Sequence, residues 1–82
     1  MRMIDLDRKC SIRFVSIYLK PNEAEQFRGE LDKLLKDPEA NEHFHIYGHN
    51  MSREISCSII TDEKIKNLNR YNKLEQIVLS EG

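Results

Sequence analysis

EHFHIYGHNMSREISCSIIT, residues 42–61, carries the clearest strand signals of this chain. Two runs within it alternate between apolar and polar side chains, which is typical of strands with one buried face. The apolar positions are Phe44 and Ile46 in the first run and Ile55, Cys57 and Ile59 in the second. The pattern predicts an antiparallel hairpin whose polar face joins His43, His45 and Tyr47 to Glu54, Ser56 and Ser58.

A helix is predicted immediately before the hairpin. Pro21 is tolerated at a first helical position, and Glu23 suits the positive end of the helix dipole. Apolar residues then recur at helical spacing as far as Leu35, and Asp37-Pro38 ends the helix.

Residues outside this helix and hairpin give weaker signals. Ser11–Leu19, SIRFVSIYL, is rich in β-branched and aromatic residues and predicts a long strand, while Met1–Leu6 permits a short edge strand. After the hairpin, Thr61 or Asp62 begins a helix that we expect to reach about residue 73, and Leu74–Leu79 forms a second helical piece or an edge strand.

These elements predict an α+β fold of two layers in the order β-α-β-β-α. The antiparallel sheet has the strand order 1-3-2, with room for an extra N-terminal strand, and the helices cover one face. One face of strand 11–19 would then join the polar face of the hairpin and add Phe14 and Tyr18 to it. With 82 residues, the chain is expected to form a single domain over residues 1–82.

Charge and cysteine content narrow the class of function. The chain has 13 basic and 14 acidic residues, which argues against nucleic acid or an anionic membrane as partner. Residues 1–21 carry a net +3 and residues 22–45 a net −4, so an acidic helix face is available to a basic protein. The two cysteines form no CxxC pair, no apolar run is long enough to cross a membrane, and the charged N-terminus is unlike a signal peptide. We therefore expect a cytoplasmic protein.

The His43-x-His45 pattern is also compatible with zinc. The two imidazoles would stand about 6.6 Å apart along one strand face, and His49 or Glu54 would be the third ligand. Glu54 with His45 could alternatively act as an acid–base pair beside Ser56 or Ser58, although no oxyanion hole is recognisable. Exposed histidines on a recognition face are the simpler interpretation, so we expect no enzyme activity, no cofactor and no catalytic residues.

One part of the sequence resembles a known group of proteins. KPNEAEQFRGELDKLLKDPEANEHFHIYG followed by SREISCSII resembles small bacterial proteins counted among the predicted immunity proteins of polymorphic toxin systems, over about residues 11–61. Its most specific part is His43-Phe44-His45 followed by Glu54-Ile55. The resemblance implies a non-enzymatic protein that binds and neutralises a cognate toxin.

The sequence therefore predicts a protein-binding module whose partner is a protein, such as a toxin domain. Stacking of the open sheet faces of two copies would give a homodimer. The expected binding face consists of His43, His45, Tyr47, Glu54, Ser56, Ser58, Phe14 and Tyr18. The alternative is a small zinc protein or metalloenzyme with the ligands His43, His45, His49 and Glu54.

Overall fold

The computed structural model describes residues 1–81, without the side chain of His49. It has an α+β fold with two small antiparallel sheets, so the predicted α+β class is confirmed. The chain divides into two compact units, of which one consists of Met1–Ile17 together with the chain from Asp62 onward, and the other of Tyr18–Thr61. The prediction of a single domain stays a prediction.

The unit formed by residues 18–61 contains one helix and one hairpin. Its elements are α1 (Pro21–Leu35), β3 (His43–Tyr47), a 3-10 helix (His49–Met51) and β4 (Glu54–Ser58). Lys20 is the N-cap of α1, and its backbone N–H donates to Glu23 Oε1 at 2.9 Å, so the predicted start of the helix is confirmed.

The core of this unit lies between α1 and β3. Phe44 and Ile46 are only 6% and 3% exposed. The Phe27 ring of α1 meets the Phe44 ring edge to face, with centroids 5.4 Å apart. Phe27, Leu31 and Leu34 are half-buried along the predicted apolar stripe of α1. The apolar residues of the helix and those of the hairpin therefore form one small core.

The other unit joins the two ends of the chain. It contains β1 (Ile4–Asp5) paired with β2 (Cys10–Ser11), then α2 (Asp62–Ile65), a 3-10 helix (Leu68–Arg70) and α3 (Lys73–Ser80). Val78 is its most buried apolar residue, and Arg2 Nε donates to the carbonyl oxygen of Leu79 at 3.1 Å. The short N-terminal strand is therefore present.

The predicted strand over residues 11–19 is wrong. Only Cys10–Ser11 forms a strand, and Arg13–Lys20 is exposed without regular secondary structure. The strand order 1-3-2 is wrong for the same reason, because each sheet has two strands, β1-β2 and β3-β4. Strand propensity describes how well side chains fit a paired surface, and this run has no partner strand among the described residues.

The predicted helix from residue 61 or 62 to about residue 73 is also wrong in length. α2 ends at Ile65, and α3 begins at Lys73 after Asn72. The Asn72 side chain accepts from the Glu75 backbone N–H at 2.8 Å, and Glu75 Oε1 accepts from the Asn72 N–H at 3.2 Å. Asparagine favours caps over helix interiors, so Asn72 starts a second helix, which was one of the two alternatives for residues 74–79.

Candidate functional site

The candidate site is the outward face of the hairpin in the unit formed by residues 18–61. The register pairs His43 with Ser58, His45 with Ser56 and Tyr47 with Glu54. All six side chains are exposed. The structure therefore brings together the six hairpin residues of the predicted binding face, and we call them the hairpin face.

The three rings of β3 form a column along this face. His43 and His45 meet edge to face with centroids 4.9 Å apart, and His45 stacks on Tyr47 at 6.1 Å with planes 17° apart. Residues i and i+2 of a strand point to the same side, so the alternation His43, His45, Tyr47 makes this column a local consequence of the sequence. Ring contacts restrict the rotamers of exposed side chains, which lowers the entropy lost when a partner binds.

His45 also reaches across the hairpin. Its Nδ1–H donates to Glu54 Oε2, although Glu54 is directly opposite Tyr47 and not opposite His45. The bond is therefore diagonal, and it fixes the His45 ring between two neighbouring rings and a carboxylate. Both side chains remain partly open to water, at 38% and 44% exposure.

The opposite face of the hairpin is apolar and anchors the site. Ile55 and Cys57 of β4 are half-buried beside Phe44 and Ile46 of β3. Burial raises the pKa of the Cys57 thiol above its ordinary value, because the thiolate is poorly solvated there. Cys57 is thus a small core residue, whereas Cys10 is exposed, and neither forms a disulfide.

A tight connection joins the two strands. The Gly48 N–H donates to the Arg53 carbonyl oxygen at 2.8 Å, and the Met51 N–H donates to the Gly48 carbonyl oxygen at 2.9 Å. A Cβ at Gly48 would lie 3.3 Å from the Arg53 Cβ, which is a close approach. Asn50 and Met51 are left-handed with φ of 65° and 56°. Asparagine adopts the left-handed backbone conformation readily, whereas methionine does so only with steric strain, so Met51 is a strained residue of this connection.

The zinc alternative requires a third ligand beside His43 and His45. No group of three histidine, cysteine, aspartate or glutamate residues within the described part of the chain is placed to hold a metal ion. The His49 side chain, one of the two candidate third ligands, lies outside the described residues. His43 and His45 are close, and because Glu54 bonds Nδ1 of His45, the atom of His45 left to bind a metal would be Nε2.

Phe14 and Tyr18 do not belong to the hairpin face as predicted. Their segment is not a strand and pairs with neither arm of the hairpin, so no continuous sheet face carries them. Both side chains are nonetheless exposed, at 86% and 92%. Their expected role in binding a partner stays a prediction, separate from that of the six hairpin residues.

The acidic surface predicted for residues 22–45 is present on α1 and in the connection that follows it. Its exposed carboxylates are Glu25, Asp32, Asp37, Glu39 and Glu42. Glu30 is engaged with Lys33 at 3.3 Å, and Glu39 accepts a hydrogen bond from Thr61 Oγ1 at 3.0 Å. Most of the exposed carboxylates thus remain available to a basic surface.

One concave feature was not anticipated from the sequence. A groove of about 540 Å³ lies in the unit that joins the chain ends, with Arg2, Ser11, Arg13, Val78 and Glu81 in its lining. Its residues come from both ends of the chain, so no local motif could have indicated it. Its lining contains two arginines, Arg2 and Arg13, and one carboxylate, Glu81, so charges of both signs line it.

Comparisons with family models, with curated proteins and with solved structures found no match. The resemblance to immunity proteins therefore stays a prediction. No described helix has the length and apolar character needed to cross a lipid bilayer.

Proposed function

We propose that this protein is a non-enzymatic, protein-binding module of the immunity type, which acts in the cytoplasm by binding and neutralising a cognate bacterial toxin. The observation that carries the proposal is the hairpin face, in which six exposed polar and aromatic side chains lie on one small, anchored surface. Tyrosine and histidine rings offer both apolar contact area and polar atoms, a combination typical of binding surfaces.

The side chains of the hairpin face are already held in contact with one another, which supports a role in binding a partner and not merely in solvation. The His45 ring is in contact with His43, Tyr47 and Glu54 before any partner arrives. Each side chain that is already ordered saves roughly 0.5–1.5 kcal/mol of the entropy otherwise lost on binding. The apolar opposite face, buried against α1, holds the strands in place.

The acidic surface of α1 suggests the chemistry of the partner. A toxin domain that acts on nucleic acid has a basic active site, and exposed carboxylates attract such a surface over a Debye length of about 8 Å at physiological salt. Charge pairing of this kind speeds association more than it determines affinity. Occlusion of the toxin's active site, without chemical change, would then suffice for neutralisation.

A first experiment identifies and tests the partner. The chain is used as bait in its native host, and the captured protein is then purified and titrated by calorimetry against wild type and a His43→Ala/His45→Ala/Tyr47→Ala variant. We expect saturable one-to-one binding that the triple variant weakens by at least about tenfold, as loss of clustered aromatic contacts does.

The matched control changes three exposed residues in the other unit, Asn69→Ala/Arg70→Ala/Lys73→Ala. This control should bind like wild type. Recovery of no partner that binds saturably would refute the proposal. Equal binding by wild type and the hairpin-face variant would mean that the interface lies outside the hairpin face.

The zinc alternative has its own measurement. Elemental analysis of protein purified without a histidine tag should find no stoichiometric metal if the hairpin face binds protein only. One zinc per chain that is lost in a His45→Ala variant would instead favour a metalloprotein using His43, His45 and either His49 or Glu54.

A further inference from the structure

Arg13–Leu19, RFVSIYL, is an exposed apolar segment with the composition of a strand. Every residue from Arg13 to Lys20 is exposed, including the large side chains Phe14, Val15, Ile17 and Tyr18. Single exposed apolar residues are ordinary on protein surfaces, but a run of them in sequence marks an interaction site or an aggregation hazard.

The backbone of this segment also lacks hydrogen-bond partners among the described residues. The last ladder contact on its N-terminal side is the hydrogen bond from the Ile12 N–H to the Met3 carbonyl oxygen at 2.9 Å. From Arg13 to Leu19, no backbone hydrogen bond to another described residue is formed. A β-prone run with free N–H and C=O groups is a template for strand pairing with another chain.

The order of the side chains points to the identity of that chain. The segment is close to a palindrome about Ser16, with β-branched residues one step away and aromatic residues two steps away on each side. We propose that Arg13–Leu19 pairs antiparallel with the same segment of a second copy, about a twofold axis through Ser16. Phe14 then lies opposite Tyr18 of the second copy, and Val15 opposite its Ile17.

Other registers match the side chains less well. An axis through Val15 places Phe14 opposite Ser16, and an axis through Ile17 places Phe14 opposite Lys20. Parallel pairing in register places Arg13 beside Arg13 and Lys20 beside Lys20, where like charges repel. Only the axis through Ser16 forms two aromatic pairs and two β-branched pairs at once.

The flanks limit the assembly to two copies. Lys20 follows the segment and Pro21 then begins α1, which ends the strand, so Arg13 at one end and Lys20 just beyond the other end carry positive charge. A pair of segments accumulates four such charges, which discourages the addition of a third strand at the outer edges. A twofold contact of this kind is closed, because the same patch of both copies is used.

The available area predicts a weak dimer. The four rings contribute at most roughly 150–250 Å² each, or about 600–1,000 Å² together. Stable complexes bury about 1,200–2,000 Å² in total, and smaller contacts are transient. The dimer should therefore be weak, with a dissociation constant of roughly tens to hundreds of micromolar.

Sedimentation equilibrium from about 10 μM to about 1 mM tests the association. We expect the mass to rise from one chain toward two, and a Phe14→Ala/Tyr18→Ala variant to raise the dissociation constant at least about tenfold. Both side chains are almost fully exposed, so this variant keeps its fold. The control Leu35→Ala/Ile77→Ala changes two other exposed apolar residues and should dimerise like wild type.

Cysteine cross-linking tests the register. In a Cys10→Ser/Cys57→Ala background, Ser16→Cys places two thiols opposite each other at the axis, where Cβ atoms are about 4.5–5.5 Å apart and a disulfide needs little movement. Mild oxidation should link Ser16→Cys chains several times faster than Ser58→Cys chains, although both positions are exposed.

Three results would refute the proposed dimer. In the first, sedimentation gives the mass of a single chain up to about 1 mM. In the others, the Phe14→Ala/Tyr18→Ala variant dimerises as well as wild type, or Ser16→Cys and Ser58→Cys chains cross-link at equal rates. Binding of the segment to a strand of a different protein in preference to its own copy would also refute it. Phe14, Ser16 and Tyr18 lie outside the hairpin face, whereas the cross-linking control Ser58→Cys lies on it, so loss of the dimer in Phe14→Ala/Tyr18→Ala leaves the proposed function untouched.

Discussion

His45 has more specific contacts than any other residue of the hairpin face. Its ring lies between His43 and Tyr47, and its Nδ1–H donates to Glu54. Each contact is partly exposed, so water weakens the electrostatic contribution of the pair with Glu54. The role of His45 is therefore to order the face more than to stabilise the fold.

A double-mutant cycle measures the coupling of His45 with Glu54. The variants are His45→Ala, Glu54→Gln and the two together, and the measurement is urea unfolding followed by circular dichroism. We expect a coupling free energy of about 0.2–1 kcal/mol, as for other exposed pairs. A coupling above about 2 kcal/mol would mean that the pair is structural and would count against a role confined to ordering the face.

The two thiols should differ in reactivity. Cys10 is exposed, whereas burial raises the pKa of Cys57, so less thiolate is present at Cys57 at a given alkaline pH. Iodoacetamide labelling read by mass spectrometry should modify Cys10 first and Cys57 only at higher pH or after unfolding. Equal rates for both cysteines in the folded protein would contradict the placement of Cys57 beside the core.

The same shift has a consequence for stability. The folded-state pKa of Cys57 lies above its unfolded value, so the neutral thiol is favoured by folding. This contribution is complete below the unfolded pKa and is lost as the pH rises toward the folded pKa. Alkaline solution should therefore destabilise the fold slightly, and Cys57→Ala should remove that part of the pH dependence.

At the level of secondary-structure elements, the contact between α1 and β3 is the most important for the hairpin unit. Phe44 is 6% exposed and contacts Phe27, whereas Phe14 is 86% exposed. Phe44→Leu should lower the free energy of unfolding by about 1–1.5 kcal/mol, because a buried ring contact is lost. Phe14→Leu should change it by less than about 0.5 kcal/mol. Equal effects in thermal unfolding would contradict this core.

The start of α3 depends on Asn72. Its side chain and that of Glu75 satisfy two backbone N–H groups in a reciprocal cap. Asn72→Ala should cost about 1 kcal/mol of stability, whereas Asn67→Ala removes no capping bond and should cost much less. Chemical denaturation of both variants distinguishes the two asparagines, and an equal loss would mean that the cap does not support α3.

Elements stabilised by local pairing were predictable from the sequence. The alternation within residues 42–61 is sufficient for β3, β4 and the face on which each side chain lies, since a slip of one residue would place Phe44 and Ile46 in water, but it does not distinguish registers that differ by two residues. The spacing of Phe27, Leu31 and Leu34 is likewise sufficient for α1. The same alternation places the six side chains of the hairpin face on one side of the hairpin.

Elements that depend on distant partners were not predictable. SIRFVSIYL has strong strand propensity, but a strand exists only where a second strand pairs with it, and none does among the described residues. The pairing of His45 with Glu54 was expected from the hairpin, but its diagonal direction depends on the register and on side-chain length. The break of the helix after Ile65 is followed by Asn67 and Asn69, residues of a type that favours caps and turns over helix interiors, which periodicity alone does not register.

At the scale of the whole molecule, charge is distributed unevenly along a chain that is nearly neutral. Residues 22–45 carry a net −4, and the hairpin face begins within this region at His43. α1 packs against the apolar face of the hairpin, opposite the ring column, so its carboxylates attract a basic partner of the hairpin face through the electrostatic field and not by contact. Added salt should therefore slow association with a basic toxin and affect dissociation much less.

Whether the hairpin face neutralises a toxin is tested most directly by the growth of cells that produce this protein together with the toxin-domain product of an adjacent reading frame. We predict that wild type and Asn69→Ala/Arg70→Ala/Lys73→Ala restore growth, and that His43→Ala/His45→Ala/Tyr47→Ala, produced at the same level, does not. Failure of wild type to protect against any neighbouring product, or full protection by the hairpin-face variant, would contradict neutralisation by the hairpin face.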